Sequence, residues 1–396
     1  MTSTADTTSD NTGHPLLHAA YRPFFLAATI QGAVIMLFWL IDYLSGYPMA
    51  SLYGQKQWHA HEMLHGFALA FVAGYLLHAV GNWTGIEPLG RRTLLGLVLL
   101  WLGGRFLPFF PDLIPPSLAA MPDLLFPLLL TAIVAATLIE TRSSHAYAVI
   151  EVLLFTSVVA IVNYWQAVGW FATRVTTDGT MLLTLIALLA VLAGKLIPGF
   201  TERTLGLEMR PARHAAVIEN TAIGTIYALV LMIPFVGPTH WLSAVTALIA
   251  AIANGLRLRS WYLPEIWREP SLWVLYCGYG WIVLGLLMLA AGAIGITTPE
   301  AGWHGLGVGG IGLFAAGLMT RVVDANRSRT PQPPPDSWIV TGYVLLNVAA
   351  GALAVLPWLI DTLTLRWHIV AGVGWILALT LLAWRFFEPL ATAQDS

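Results

Sequence analysis

Long apolar runs, each followed by a short polar segment, repeat along almost the whole chain. A helix needs about 20 apolar residues to cross a bilayer core, and twelve runs approach this length. None of them alternates between apolar and polar positions, which argues against a transmembrane barrel. The pattern predicts an all-α polytopic membrane protein with about twelve transmembrane helices. The predicted spans are Phe24–Leu44, Ala60–Trp83, Thr93–Phe110, Met121–Glu140, Ala146–Phe171, Met181–Pro198, Ala215–Phe235, Trp241–Gly255, Leu272–Ile296, Trp303–Val323, Trp338–Leu356 and Trp367–Phe387.

The composition supports this class. Hydrophobic residues make up 57% of the chain and charged residues only 10%, against about 25% charged residues in an ordinary soluble domain. The net charge of -2 gives no reason to expect a nucleic acid partner, and the expected surroundings are a lipid bilayer. The single cysteine, Cys277, excludes an internal disulfide, a four-cysteine zinc site and a cysteine-ligated iron–sulfur cluster within this chain.

The polar ends and the basic residues predict the domain organisation and the topology. Residues 1–20 lack the basic start and apolar stretch of a cleaved signal, so we expect a disordered cytoplasmic tail. Residues 21–390 form a single twelve-helix domain, and residues 391–396 form a short tail. Most of the 19 Lys and Arg residues fall in the termini and the even-numbered loops. Both termini are therefore expected in the cytoplasm, and in a bacterial cell the odd-numbered loops face the periplasm.

Six of the 11 histidines fall at one predicted membrane surface, where even-numbered spans begin. Imidazole is a usual protein ligand of haem iron and also binds copper, and ligands that converge from several helices build the metal sites of helical bundles. A belt of Trp and His at the headgroups explains any single one of these histidines equally well. The six are His59, His61, His65, His240, His304 and His368.

The second span carries the densest group of candidate ligands. His61 and His65 are four residues apart and share a helix face, whereas His59 points the same way only from a pre-helical turn. Glu62 is expected either to orient a ligand histidine or to complement the helix dipole. His61–His65 also matches the zinc protease signature H-E-x-x-H. The Asp-Gly that commonly supplies a third ligand occurs only at Asp178-Gly179, in a predicted loop.

Two polar residues near the opposite surface suggest other roles. His78 is roughly 17 residues beyond His61, or about 25 Å along a helix, so it belongs to a second centre or is an interhelical hydrogen-bond donor. Lys195 ends the sixth span on the side where Glu219 begins the seventh. We expect a structural ion pair between Lys195 and Glu219, or a haem propionate as the partner of Lys195.

Several short motifs are spread in order over nearly the whole chain: Arg22–Phe25, His59–Met63, Gly74, Asn82–Gly85, Gly194–Thr201, Gly278–Trp281, Trp303–His304 and Met319–Arg321. Together they resemble the NnrS family. The chain departs from the family pattern at Val323–Arg329, at Tyr276 in place of a usual histidine, and at Lys195 in place of an arginine. His65 and His78 stand where the family has other residues, so the chain resembles a divergent member.

The resemblance implies a twelve-span bacterial inner-membrane protein with haem and copper and a role in the nitric oxide response. On this interpretation the cofactors are haem b and copper, and the diatomic ligand is nitric oxide. The implied function is binding or processing of nitric oxide, or protection against nitrosative stress. The ligands that carry over best are His59, His61 and His304, with His65 and His368 next for the cofactor, and the metal set is His59, His61, His65 and His304.

Two other functions stay open. A transporter or permease would use the histidines as a proton relay or substrate site, and polar residues near the bilayer midplane would favour it. Asn163 and Asn347 are the main such residues. A zinc protease would bind the metal at His61 and His65 and use Glu62 to activate water.

Overall fold

The described part of the protein contains twelve long apolar helices, as the sequence predicts. The computed structural model describes residues 14–46, 51–54, 57–143, 146–170, 177–209, 214–327 and 336–392. Twelve helices in these ranges are long and apolar enough to span a membrane, and the described residues contain no strand. In chain order they are α1 Tyr21–Ser45, α2 Trp58–Thr84, α3 Arg91–Phe109, α4 Pro116–Glu140, α5 Tyr147–Ala167, α6 Thr177–Leu205, α7 Ala215–Val236, α8 Trp241–Trp261, α9 Pro270–Ala293, α10 Pro299–Arg327, α11 Ser337–Leu359 and α12 Thr364–Ala391.

Three spans form the centre of the bundle. The most apolar windows of α2 and α10 are 89% buried within the protein, and that of α6 is 78% buried, whereas the corresponding windows of α7 and α3 are 28% and 33% buried. The outer helices therefore present much of their surface to lipid. Because α2 and α10 carry four of the candidate histidines, these ligands lie on the least exposed helices of the fold.

Both central spans that carry histidines change their helical winding next to a histidine. In α2, residues Glu62–Ala68 form a π-helical segment directly after His61. In α10, residues Gly305–Gly312 form a second one directly after His304. A π-helical turn closes its hydrogen bonds over five residues instead of four, and such segments inside α-helices are frequent at functional sites. Because its turns are wider, each segment changes the direction in which the following residues face relative to the histidine before it.

The two described ends of the chain meet at one end of the bundle. The Arg22 side chain donates a hydrogen bond from Nη1 to the Thr392 carbonyl oxygen at 3.0 Å and another to the Pro15 carbonyl oxygen at 3.3 Å. Pro15–Leu17 form a single 3₁₀ turn. Residues 1–13 and 393–396 lie outside the described residues, so the disorder of the predicted tail stays a prediction.

Candidate functional site

A cavity of about 810 Å³ lies at the end of the bundle where the even-numbered spans begin. We name it the histidine cavity, because His59 and His61 of α2 and His304 of α10 line it. Two thioethers, Met36 of α1 and Met63 of α2, line it as well. Other lining residues come from α5, α6, α11 and α12, so the cavity collects side chains from seven of the twelve spans.

His59 presents an unsatisfied nitrogen in this cavity. It lies within the first helical turn, because α2 begins at Trp58, and therefore not in the pre-helical turn considered above. Its ring packs 5.1 Å from the Trp39 ring, and its Nδ1 is buried without a hydrogen-bond partner. His304 is close enough for the two charges to interact. A buried imidazole nitrogen without a partner is costly unless a ligand satisfies it.

His368 lies beside this pair without lining the cavity. Its charge would interact with that of His304, and its ring stacks on the Tyr43 ring with centroids 5.4 Å apart. His368 Nδ1 lies 2.8 Å from the Thr364 carbonyl oxygen. Because a carbonyl only accepts, Nδ1 carries the proton and Nε2 has the free lone pair that a metal ligand needs.

His240 has a different role. It precedes the first residue of α8, and its Nδ1 accepts a hydrogen bond from the Leu242 backbone N–H at 3.2 Å. This is the geometry of a helix N-cap, and the residue does not line the histidine cavity.

His61 is held rigidly by three neighbours. Its ring stacks on the Tyr53 ring, with centroids 3.6 Å apart, and on the His65 ring, with centroids 4.1 Å apart. His61 Nε2 lies 3.0 Å from Asp123 Oδ2. A carboxylate on one ring nitrogen fixes the tautomer and raises the basicity of the other, as in carboxylate–histidine–metal arrangements.

His65 shares the helix face of His61, as the spacing predicts, but the two do not form a chelate. Their rings are nearly parallel, with an interplanar angle of 12°, so their lone pairs do not converge on one ion. His65 Nε2 instead lies 3.3 Å from Asn163 Nδ2. This geometry does not fit the two-histidine zinc site of the protease interpretation.

A buried ion-pair cluster supports His61. Arg105 Nη1 donates to Glu62 Oε2 at 2.7 Å, and Arg105 Nη2 forms a short ion pair with Asp123 Oδ1. Gln31 Nε2 donates to Glu62 Oε2 at 2.7 Å. Both bonds are made to Oε2, and Glu62 Oε1 is buried without a hydrogen-bond partner. Of the two roles expected for Glu62, the orienting of His61 is carried out by another carboxylate. Asp123 performs that function.

The cluster also includes a phenol from the loop before α2. Tyr53 donates from its hydroxyl to Asp123 Oδ2 at 3.0 Å. Burial, together with the nearby Asp123 charge, raises the pKa of the Tyr53 phenol well above its ordinary value of 10.0. The hydroxyl therefore stays protonated and keeps donating to Asp123 at neutral pH.

The charges of this cluster do not balance within the protein. With both carboxylates ionised, Glu62 and Asp123 face the single guanidinium of Arg105, which leaves one excess negative charge in a buried region. A buried excess charge is costly unless it is paired. A proton on Glu62 or His61, or a cation bound on the cavity side of His61, would balance it.

The donor set fits haem better than a three-ligand metal site. Within the described ranges, no three side chains of His, Cys, Asp or Glu lie close enough together to hold a metal ion. Haem iron needs only one or two protein ligands. The unpartnered His59 nitrogen and the neighbouring His304 meet that requirement, and the two Met thioethers are soft donors of the kind that suit Cu(I).

Sequence reasoning missed Asp123 and Tyr53 as parts of the site. Arg105 carried a readable signal, because a charged residue inside a membrane span is rare and marks a functional or structural centre. Asp123 gave none, since it follows Pro122 at a predicted span boundary, where an acidic residue is ordinary.

Lys195 and His78 lie elsewhere. They line a second cavity, of about 420 Å³, that shares no lining residue with the histidine cavity. Its lining comes from the far ends of α2, α6 and α10, so it lies at the opposite end of the bundle. The ion pair expected between Lys195 and Glu219 was wrong, because Glu219 pairs with Arg257 of α8.

The comparison with known protein families matches residues 15–394 to the family described as NnrS protein. The match covers nearly the whole chain and confirms the resemblance inferred from the short motifs. Among curated proteins, no match is found.

Proposed function

Because the chain belongs to the NnrS family, we propose that it is a membrane haem protein that binds nitric oxide in the histidine cavity. Family membership fits a membrane protein of the nitric oxide response. The proposal adds the cofactor, the ligand residues and the cavity. In this role the protein binds or processes nitric oxide and thereby protects the cell against nitrosative stress.

The observation that carries the proposal is the pairing of His59 and His304 in one cavity. They come from two central helices that each contain a π-helical segment, and His59 Nδ1 is buried without a partner. His59 and His304 are therefore proposed as the ligands of haem b. His368 and His61 follow as neighbouring candidates, and copper is proposed as a second metal near Met36, Met63 and His61.

Much of the remaining lining is uncharged, although the carboxylates of Asp178 and Glu300 also line the cavity. Leu64, Val308 and Ile311 supply an apolar wall, which limits the water in the cavity. Asn163 and Gln166 supply amide groups that hydrogen-bond to a polar ligand atom. When bound, haem would supply an iron centre at which a diatomic molecule can take the place of one of the two histidines.

The test is the absorption spectrum of the full-length protein purified in detergent after expression with ample haem supply. It is recorded oxidised and reduced, with elemental analysis for iron, copper and zinc. We expect a Soret band, iron in a fixed ratio to protein, and a spectral shift when nitric oxide is added to the reduced protein. A colourless, iron-free preparation contradicts the proposal.

The transport alternative makes a different prediction. If the histidines were a proton relay, metal-free protein in liposomes would catalyse uptake of a substrate driven by a proton gradient. The haem proposal expects no such uptake from metal-free protein. Bound zinc without iron, together with proteolysis lost in Glu62→Gln, would instead support the protease interpretation.

A further inference from the structure

The second cavity is lined by cations from two helices. Lys195 and Arg203 of α6 and Arg321 of α10 line it, together with His78 and Asn82 of α2. None of its lining residues is an Asp or a Glu. We name it the basic cavity. Three positive charges around a volume of about 420 Å³ repel one another unless an anion lies between them.

Arg321 is the central cation of the basic cavity. Its side chain is buried, at 6% exposed, and its guanidinium carbon lies 4.1 Å above the centre of the Phe200 ring. This stacking fixes the plane of the guanidinium. Arg321 donates to the Ser271 carbonyl oxygen at 3.1 Å and weakly to Thr204 Oγ1 at 3.4 Å, and both are neutral acceptors.

The Arg321 guanidinium is left without an anionic partner. Its Nε is buried and has no hydrogen-bond partner, and no ion pair among the described residues involves Arg321, Lys195 or Arg203. A buried charge of this kind is normally paired.

The neighbouring carboxylates do not supply a counter-charge for Arg321. Glu219 pairs with Arg257, and Asp324 pairs with Arg385 at 3.0 Å. Glu202 Oε1 accepts a hydrogen bond from the Met209 backbone N–H at 2.9 Å. Glu269 is near enough to act on the charge of Arg321 but forms no ion pair with it. The missing counter-charge must therefore come from outside the described residues.

We propose that the basic cavity binds a phosphate-bearing anion, held by Arg321, Lys195 and Arg203. A planar guanidinium binds two phosphate oxygens at once, and lysine adds a point charge. Because the cavity is lined by the ends of α2, α6 and α10, we expect it to lie near the headgroups of one leaflet. Basic pockets between membrane helices bind lipid phosphates on the side rich in anionic lipid. The same chemistry also accepts free inorganic phosphate.

Two probes separate the two sources of phosphate. Delipidated full-length protein in a neutral detergent is titrated with phosphatidylglycerol, and with phosphatidylcholine of the same acyl chains as the control, and bound lipid is counted by native mass spectrometry. Inorganic phosphate, with chloride at equal ionic strength as the control, is titrated by calorimetry. We expect the protein to bind phosphatidylglycerol at least tenfold more tightly than phosphatidylcholine, or inorganic phosphate at least tenfold more tightly than chloride.

Single substitutions test which residues of the basic cavity hold the anion. Lys195→Gln and Arg203→Gln remove exposed cations, so both variants should fold, and each is expected to weaken binding about tenfold, the worth of one charge-assisted hydrogen bond. Arg259→Gln is the matched control, because Arg259 is an exposed cation at the same end of the bundle, outside the basic cavity. It should bind as the unmodified protein does. Arg321→Gln is expected to lose binding altogether.

The outcomes either support or overturn the proposal. Preference for phosphatidylglycerol that the two variants lose assigns a lipid headgroup, and phosphate binding that they lose assigns a free anion. Equal binding of anionic and control ligands overturns the proposal, as does unchanged binding in both variants. Loss of haem from Lys195→Gln with phosphate binding unchanged would also overturn it, because a haem propionate would then be the anion.

Discussion

At the scale of single residues, the site depends on one buried arginine. Arg105 joins Glu62 and Asp123, and Asp123 in turn holds His61. Arginine suits this position because its planar guanidinium group can donate to two carboxylates at once and stays charged when buried. The position of His61 in the histidine cavity is thus fixed through Asp123 by a charge on a third helix.

Arg105→Gln is expected to destabilise the protein strongly. Removing the guanidinium leaves two buried carboxylates without a counter-charge, a loss of about 3–5 kcal/mol when one partner of a buried pair is removed. The thermal midpoint and the yield of monodisperse protein in detergent measure the effect. Arg92→Gln, which removes an exposed cation from the same helix, should behave as the unmodified protein, and the double variant Arg105→Gln with Asp123→Asn should recover part of the loss. Equal midpoints for Arg105→Gln and Arg92→Gln would contradict the ion-pair account.

The residue scale is also where prediction from the sequence reached its limit. The spacing rule placed His61 and His65 on one face correctly, because that contact lies within one helix. The partners of Arg105 lie 43 and 18 residues away, so its pairing depends on how α2, α3 and α4 pack. The same holds for Glu219, which pairs with Arg257 rather than with Lys195.

At the scale of helices, hydropathy predicted all twelve spans but not their ends. The prediction ended the eighth span at Gly255, because Arg257 and Arg259 follow, whereas α8 continues to Trp261. Arg257 stays inside the bundle because it donates to the Ala190 carbonyl oxygen and the Tyr279 hydroxyl, each at 2.7 Å. The π-helical segments were not predicted, because five-residue hydrogen bonding follows from tertiary packing and leaves no mark in residue type.

The π-helical segment of α10 is packed against α9 through glycine. A Cβ added at Gly285 would lie 2.8 Å from the Leu306 backbone nitrogen, so Gly285→Ala forces the two backbones apart. We expect about 1–3 kcal/mol of destabilisation from this overpacking, together with reduced haem content, since His304 precedes the segment. Thermal melting and the haem-to-protein ratio report the two effects.

The matched control is Gly224→Ala in α7. A Cβ at Gly224 meets no atom within 4 Å, so alanine should stabilise that helix by about 0.5–1 kcal/mol. The packing account would fail if Gly285→Ala melted at or above the temperature of Gly224→Ala.

At the scale of the whole molecule, the same three central spans carry two separate sites. The histidine cavity and the basic cavity lie at opposite ends of α2, α6 and α10. The proposed haem site is thereby kept at one membrane surface and the proposed anion site at the other. The distribution of Lys and Arg predicts that the histidine cavity faces the periplasm and the basic cavity the cytoplasm.

Reporter fusions test this orientation. Alkaline phosphatase fused after residue 396 should be inactive and green fluorescent protein at the same position should fluoresce, because the C-terminus is predicted in the cytoplasm. Alkaline phosphatase inserted in the turn between α7 and α8 should be active. The opposite pattern at both positions would invert the predicted topology.

The central claim is that His59 and His304 hold haem in the histidine cavity, and the haem-to-protein ratio of single variants tests it most directly. The ratio is measured from the reduced pyridine-haem spectrum of His59→Ala, His304→Ala and His240→Asn, each checked for monodispersity. Asparagine preserves the helix cap at position 240, so that variant should keep the full ratio, while the other two should lose most of their haem. Full haem in both His59→Ala and His304→Ala would contradict the account.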